Sequence, residues 1–331
     1  HVEREATEEG TYVNKNLALF GLPLDEEDPQ RSDRVVIGKL RKLAEKTLFY
    51  LQKAGRGNDE KDLHQLRVSV RNAVALLDGF AFLWREEAGE RYRPLLKEII
   101  SITNAKRDLD VMTQRLSALE QEKREHLDMD AFLALKKELA TMRERERRYI
   151  KAYLQSSQLR ENLLRYGAFV DSGYREMRSA YAAYAIGPVV SYVIYRQFEK
   201  IRKLAVKIDW EEDVEKIHKL RIGCKKLRYT LENFEEHFDA AHLSPVVKDL
   251  KKLQTKLGAF HDYHQEQLLF AGLMKREKDP DILLLLQREI VPALQRSQHK
   301  LRGEIRQRTQ TFLKDEDRIR QLFIAPRVSE K

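Results

Sequence analysis

The 331-residue chain has a single cysteine, Cys224. No intrachain disulfide can form, so a disulfide-stapled fold is excluded, and the lone thiol fits a reducing compartment. Glycine and proline are scarce, at 14 and 8 residues. So few breakers argue against a turn-rich sheet protein and for long helices. No apolar run approaches the roughly 18–20 residues of a membrane span. The longest run of leucine and isoleucine is 282–286. No secretory leader pattern is visible, and the expected location is the cytoplasm with no membrane partner.

What the chain has in quantity is charge. Charged residues make up 35% of it, and the net charge is +9, from 62 basic and 53 acidic residues. A modest excess implies an anionic partner only where the positive charge is concentrated. Apolar residues reach 42%, enough for the core of one large domain or two ordinary ones.

The charge is organised by a repeat. His64-Gln-Leu-Arg67-Val-Ser-Val-Arg71 returns 154 residues later as His218-Lys-Leu-Arg221-Ile-Gly-Cys-Lys225. Asp108 and Asp262 each lie 44 residues beyond the histidine of their copy. A spacing matched over that length predicts two related halves. Val35-Val36 and Val189-Val190 keep the same offset.

Apolar residues recur with helical period almost throughout. In the first half the pattern predicts helices over 33–52, 59–85, 93–120 and 128–155. Pro94 is suited to the first turn of the third. In the second half it predicts helices over 188–207, 211–238, 244–273 and 279–317. There Ser244-Pro245 reads as N-cap and first helical residue. Short connections favour antiparallel neighbours. The expected fold is all-α, with two four-helix bundles related by an internal pseudo-twofold duplication. The expected divisions are 1–30, an N-terminal segment that is partly disordered; 31–155, the first bundle; 156–186, a partly helical linker; 187–317, the second bundle; and 318–331, a tail.

The signature helices carry two stripes each. Ile217, Leu220, Cys224, Leu227, Leu231 and Phe234 form a 3-4 spaced apolar face. His218, Arg221, Lys225, Arg228 and Glu232 follow one residue later, about 100° around the helix. In the first copy Leu63, Leu66, Val70, Ala73, Leu77 and Phe80 make the core face, and His64, Arg67 and Arg71 the basic row. There the row stops: Asn72 and Val74 stand where the second copy has Lys226 and Arg228. Neighbours in such a row are about 5–6 Å apart, which suits a linear polyanion. Arginine forks grip phosphate oxygens, and a histidine gains charge beside them. An ordinary solvated face would also be basic, but recurrence beside both core stripes favours a binding surface.

The third helix of each half adds Lys97 and Arg107 in one copy, and Lys251 and His261 in the other, at matching offsets. Asp108 and Asp262 are expected to be structural, orienting a signature arginine or histidine by ion pairing.

Residues 62–72, 106–111, 217–232 and 250–262 together resemble the CHAD family, the conserved-histidine α-helical domain. The resemblance covers about residues 30–317. It implies two four-helix bundles about a pseudo-twofold axis and a basic surface or channel between them. It also implies non-catalytic binding of inorganic polyphosphate, in some members at polyphosphate granules. Many relatives also carry a triphosphate-hydrolysing CYTH domain. These 331 residues leave no room for one, so the expectation is a stand-alone binding module without a cofactor. The phosphate contacts it implies are His64, Arg67, Arg71, His218, Arg221, Lys225, Lys226 and Arg228, with Lys97, Arg107, Lys251 and His261 as neighbours. Eight such contacts give a log–log salt slope of about −5 to −6. The departures at Asn72 and Val74 predict that the second half dominates.

Three rivals remain at this level: a metal enzyme, a nucleic-acid-binding module, and a purely structural or partner-binding helical scaffold. Glu215-x-x-His218 and His261-Asp262 are fragments of metal motifs, as a metal-dependent phosphohydrolase would need. Their counterparts, Lys61 and Arg107, break the pattern. A nucleic-acid-binding module wants aromatics interleaved with its cations, and the signature row has only Tyr229 nearby. The basic stretches 143–151 and 299–308 belong equally to a solvated surface, a protein interface or a wider phosphate track.

Overall fold

The computed structural model describes residues 20–57, 60–314, 316, 317 and 319. The expected disorder of the N-terminal segment falls largely on 1–19, and the tail mostly on 320–331, both outside the described residues. The fold is all-helical. Among the described residues ten α-helices run in order: α1 Ser32–Arg56, α2 Glu60–Gly79, α3 Glu86–Lys123, α4 Met129–Leu154, α5 Ser157–Asp171, α6 Ile186–Ala205, α7 Val214–Asn233, α8 Ala240–Met274, α9 Pro280–Leu285 and α10 Val291–Lys314. A π-helical turn, Leu286–Ile290, joins the last two into one rod.

The 154-residue spacing recurs in the helix boundaries. α6, α7 and α8 begin 154 residues after α1, α2 and α3, and α7 ends 154 residues after α2. The short 3₁₀ turns Ala81–Leu83 and Glu235–His237 obey the same offset. Arg31 and Ala185, themselves 154 apart, pair in an isolated antiparallel bridge. Ser32 N–H donates to the Tyr184 carbonyl at 2.8 Å and Ile186 N–H to that of Gln30 at 2.9 Å.

Two prolines that mark helix starts in the sequence lie inside helices instead. α3 begins eight residues before Pro94, and α8 is capped by Asp239, which accepts from Ala241 N–H at 3.1 Å. An interior proline costs about 3 kcal/mol. Upstream of it, Ala88 and Tyr92 are buried in one helix and Leu243 in the other. Burying large apolar side chains is worth about 1.5–3 kcal/mol each, which offsets the lost bond.

The core divides by level along the helices. A large cluster joins α1, α2, the start of α3, the end of α4, and α5 to α7 with the first half of α8. Residues 157–171, which lack a repeat counterpart, fill it with Leu159, Leu163, Tyr166 and Phe169. A smaller cluster joins Leu109, Met112 and Leu116 of α3 to Phe132 and Leu135 of α4. Its other side is Phe270 and Leu273 of α8 and Leu286 beyond α9. α3 and α8, each over 50 Å long at about 1.5 Å per residue, pass through both. Between the two clusters these helices carry polar residues: Asn104, Lys106, Arg107 and Asp108 on α3, and His261, Asp262, His264 and Glu266 on α8.

Candidate functional site

Both apolar stripes of the signature helices are buried as their spacing predicts, except Leu63, which is half-buried. Leu66, Val70, Ala73, Leu77 and Phe80 are sealed in the large core. So are Ile217, Leu220, Cys224, Leu227, Leu231 and Phe234. Core burial fixes the rotation of α2 and α7. The basic rows must then emerge at the edge of the core, against α3 and α8.

The rows converge on the polar waist. Arg107 crosses from α3 to α8 and donates twice to Asp262, at 2.6 and 3.0 Å, with Asp108 at 3.1 Å. Burial alone would lower the Arg107 pKa; the bonds to the two aspartates raise it overall. Arg71, Arg107 and Arg221 lie close enough to perturb one another, although they come from three helices. Lys225 takes the largest effect. Burial, then Arg221, Arg71, Arg107 and Arg228, push its pKa down to about 7. Its ammonium has no hydrogen bond or ion pair among the described residues. Burial, Arg221 and His218 push His261 down to about 3. His218 is lowered as well, by burial and then Arg221, and its ring lies 4.8 Å from that of His261.

The two halves handle their arginines differently. Arg67 is buried and spent within the protein. It donates to the Thr103 carbonyl at 2.8 Å and to Asn104 Oδ1 at 2.7 Å. Burial, then Arg71 and Arg107, lower its pKa to about 10. Arg71 donates to the same Asn104 oxygen at 3.2 Å. Position 258, the counterpart of Asn104, is glycine. Arg221 Nε is buried without a partner, as is that of Arg228, whose nearest carboxylate, Glu232, is 3.8 Å away.

A cleft beside each signature helix repeats the contrast. The first, about 550 Å³, is lined by His64, Arg67, Arg71, Lys106, Arg107 and Asp110. Its Lys106 is matched by Glu60 at 3.1 Å and Asp110 at 2.6 Å, and Arg143 by Asp110 at 3.0 Å. The second, about 340 Å³, is lined by His218, Arg221, Leu257, Phe260, His261 and His264. Phe260 and His264 stand at the offsets of Lys106 and Asp110.

The remaining residues singled out in the sequence are more peripheral. His64 and Lys97 are exposed, and Lys97 is ten residues, roughly 15 Å, from Arg107 along α3. Lys226 pairs with Asp78 at 2.8 Å and Lys251 with Glu232 at 3.0 Å. The ion pairs of Asp108 and Asp262 go to Arg107 of α3 rather than to a signature side chain. Asp262 still acts on Arg221 through charge, raising its pKa against burial, which has the larger effect and lowers it. Asn104, Asp78, His264 and the Arg115–Glu266 pair were missed by sequence reasoning. Only Asn104 left a trace there, as the polar partner of Gly258 across the repeat.

Among the described residues no group of three histidine, cysteine or acidic side chains is placed to hold a metal ion. No helix among them is long and apolar enough to cross a membrane.

This arrangement has relatives. A search of curated proteins returns no match. Among solved structures, the chain resembles the crystal structure of the CHAD domain from the plant Ricinus communis. The TM-score is 0.63 at 20% identity, over 92% of this chain and 95% of that one. It also resembles PptA from Streptomyces chartreusis, with a TM-score of 0.68 at 16% identity, over 86% of this chain and 99% of that one. At these identities the likeness shows a shared fold. Residues 39–271 match the family described as CHAD domain, and the chain belongs to that family.

Proposed function

We propose that this protein binds inorganic polyphosphate, or a similar linear phosphate polyanion, without turning it over. One observation carries the reading. Arg71, Arg107, Arg221, Lys225 and Arg228 converge from both signature helices and α3, and three of them, Arg221, Lys225 and Arg228, make no side-chain hydrogen bond among the described residues. Holding Lys225 at a pKa near 7 costs stability unless a bound anion offsets it. A cluster of mutually repelling cations at the edge of a core is a poor structural device and a good anion seat.

The matching helix boundaries and the pairing of Arg31 with Ala185 support two four-helix bundles about a pseudo-twofold axis. The seat lies where the bundles meet. A polyanion without bases fits better than nucleic acid, because Tyr229, the aromatic in the row, faces the Arg228 guanidinium at 5.2 Å. A cytoplasmic protein that collects at polyphosphate granules fits this activity.

Calorimetric titration with long-chain polyphosphate tests the reading, with single-stranded RNA as competitor at equal phosphate concentration. Binding that RNA does not displace is the expected outcome. No heat and no retention of polyphosphate, or displacement by RNA, would overturn it.

A further inference from the structure

We infer that Asn104 is a built-in occupant of the first half's anion seat, and that Gly258 leaves the equivalent seat in the second half open. The inference rests on the polyphosphate reading and adds which half binds, and why.

The Asn104 side-chain oxygen stands where a phosphate oxygen would stand. It accepts from Arg67 Nη2 at 2.7 Å and from Arg71 Nη2 at 3.2 Å, bridging consecutive members of the basic row. The Thr103 carbonyl takes Arg67 Nη1 at 2.8 Å. These neutral acceptors satisfy the guanidinium forks geometrically, so an incoming phosphate must displace a made bond. In the second half α7 packs on α8 as α2 packs on α3, with both helix starts at the same offset. The counterparts of Thr103 and Asn104 are Leu257 and Gly258. A β-carbon placed on Gly258 would meet nothing within 4 Å. Open space therefore lies beside α8 at this point, and neither Arg221 nor Lys225 has an acceptor among the described residues. Glycine costs a helix interior roughly 1 kcal/mol relative to alanine, so it is not there for helix stability.

The exchange of one side chain thus decides which row is available. Asn72 and Val74 already shorten the first row. Asn104 occupies what is left of it.

Three variants of the full chain test this, each titrated with long-chain polyphosphate at several salt concentrations. Asn104→Ala keeps the helix and removes the competing oxygen. Affinity is expected to rise several-fold, and the log–log salt slope to steepen by about 0.7 as Arg71 engages, Arg67 staying buried on the Thr103 carbonyl. Gly258→Asn supplies an acceptor beside Arg221 and Lys225, and affinity is expected to fall roughly tenfold. Gly258→Ala adds a little bulk without an acceptor and should weaken binding far less than Gly258→Asn does. Unchanged affinity and slope in both Asn104→Ala and Gly258→Asn would overturn the inference while leaving polyphosphate binding intact. Equal losses in Gly258→Ala and Gly258→Asn would overturn it too, because bulk rather than the amide would then be responsible. Failure of the unmodified protein to bind polyphosphate would instead remove the functional reading. Helical circular dichroism and melting of each variant keep misfolding apart from these outcomes; Gly258→Asn, in open space, carries the test alone should Asn104→Ala not fold.

Discussion

Arg107 of α3 and Asp262 of α8 are joined by two hydrogen bonds, at 2.6 and 3.0 Å, where the long helices cross between the two apolar clusters. Position 107 corresponds by the repeat to His261, and 262 to Asp108, so the pair ties the halves together through equivalent turns. The Asp262 side chain is 13% exposed and Arg107 36%.

Breaking that tie from one side should cost more than removing it. Arg107→Ala strands a largely buried carboxylate, and the expected loss is about 1–3 kcal/mol of unfolding free energy. Arg107→Ala combined with Asp262→Ala should recover part of it. Denaturant unfolding of the two single variants and the double checks this; strict additivity would mean that the pair is not coupled.

Lys225 makes binding depend on pH. Its folded-state pKa is about 7, and an adjacent phosphate favours the charged ammonium. Above about pH 7 the free protein must therefore take up a proton to bind, and affinity should fall as pH rises from 7 to 9. Charging of His218, and of His261 from its pKa of about 3, should tighten binding further on acidification. Calorimetry in two buffers of different ionisation enthalpy reads the proton uptake; none between pH 7.5 and 8.5 would contradict the placement of Lys225.

The same group links stability to pH with the opposite benefit. Unfolding lets Lys225 return to its ordinary pKa of 10.5, so between about pH 7 and 10.5 the unfolded chain binds more protons. Lys225 therefore lets stability rise with pH through that window and imposes its full penalty below pH 7. Lys225→Met should be more stable than the unmodified protein at pH 7 without ligand, lose that advantage towards pH 10.5, and bind polyphosphate more weakly. Thermal melts at pH 6, 7 and 9 with and without polyphosphate separate these effects.

Salt dependence counts the cations that engage. Eight contacts would give a slope of about −5 to −6, whereas Arg221, Lys225 and Arg228 alone would give about −2. The structure favours the smaller figure, because Arg67 and Arg71 share Asn104 and Lys226 pairs with Asp78. Replacing Arg221, Lys225 and Arg228 by alanine should flatten the slope to near zero, while replacing Arg67 and Arg71 should change it little. The reverse ranking would place the seat in the first half.

Cys224 supplies an internal reporter. It is fully buried, and burial pushes its thiol up to about 12. A thiol reagent should label it only on opening of α7, and polyphosphate bound along the adjacent row should slow the labelling. Rapid labelling of the native protein would mean that the stripe is not packed as described.

The sequence by itself determined what depends on local periodicity. Helix type, the repeat, the core stripes and the basic rows beside them all follow from 3.6 residues per turn, and Leu66, Leu220 and Cys224 are buried accordingly. Pro94 and Pro245 misplaced two helix starts, because burial of residues upstream outweighs a local breaker. Only the tertiary structure decided which cations are free. The acceptors of Arg67 lie 36 and 37 residues away, the partner of Lys226 lies on α2, and the partner of Arg107 lies 155 residues on. Such pairings depend on where helices cross, and crossing is set by how two apolar clusters pack.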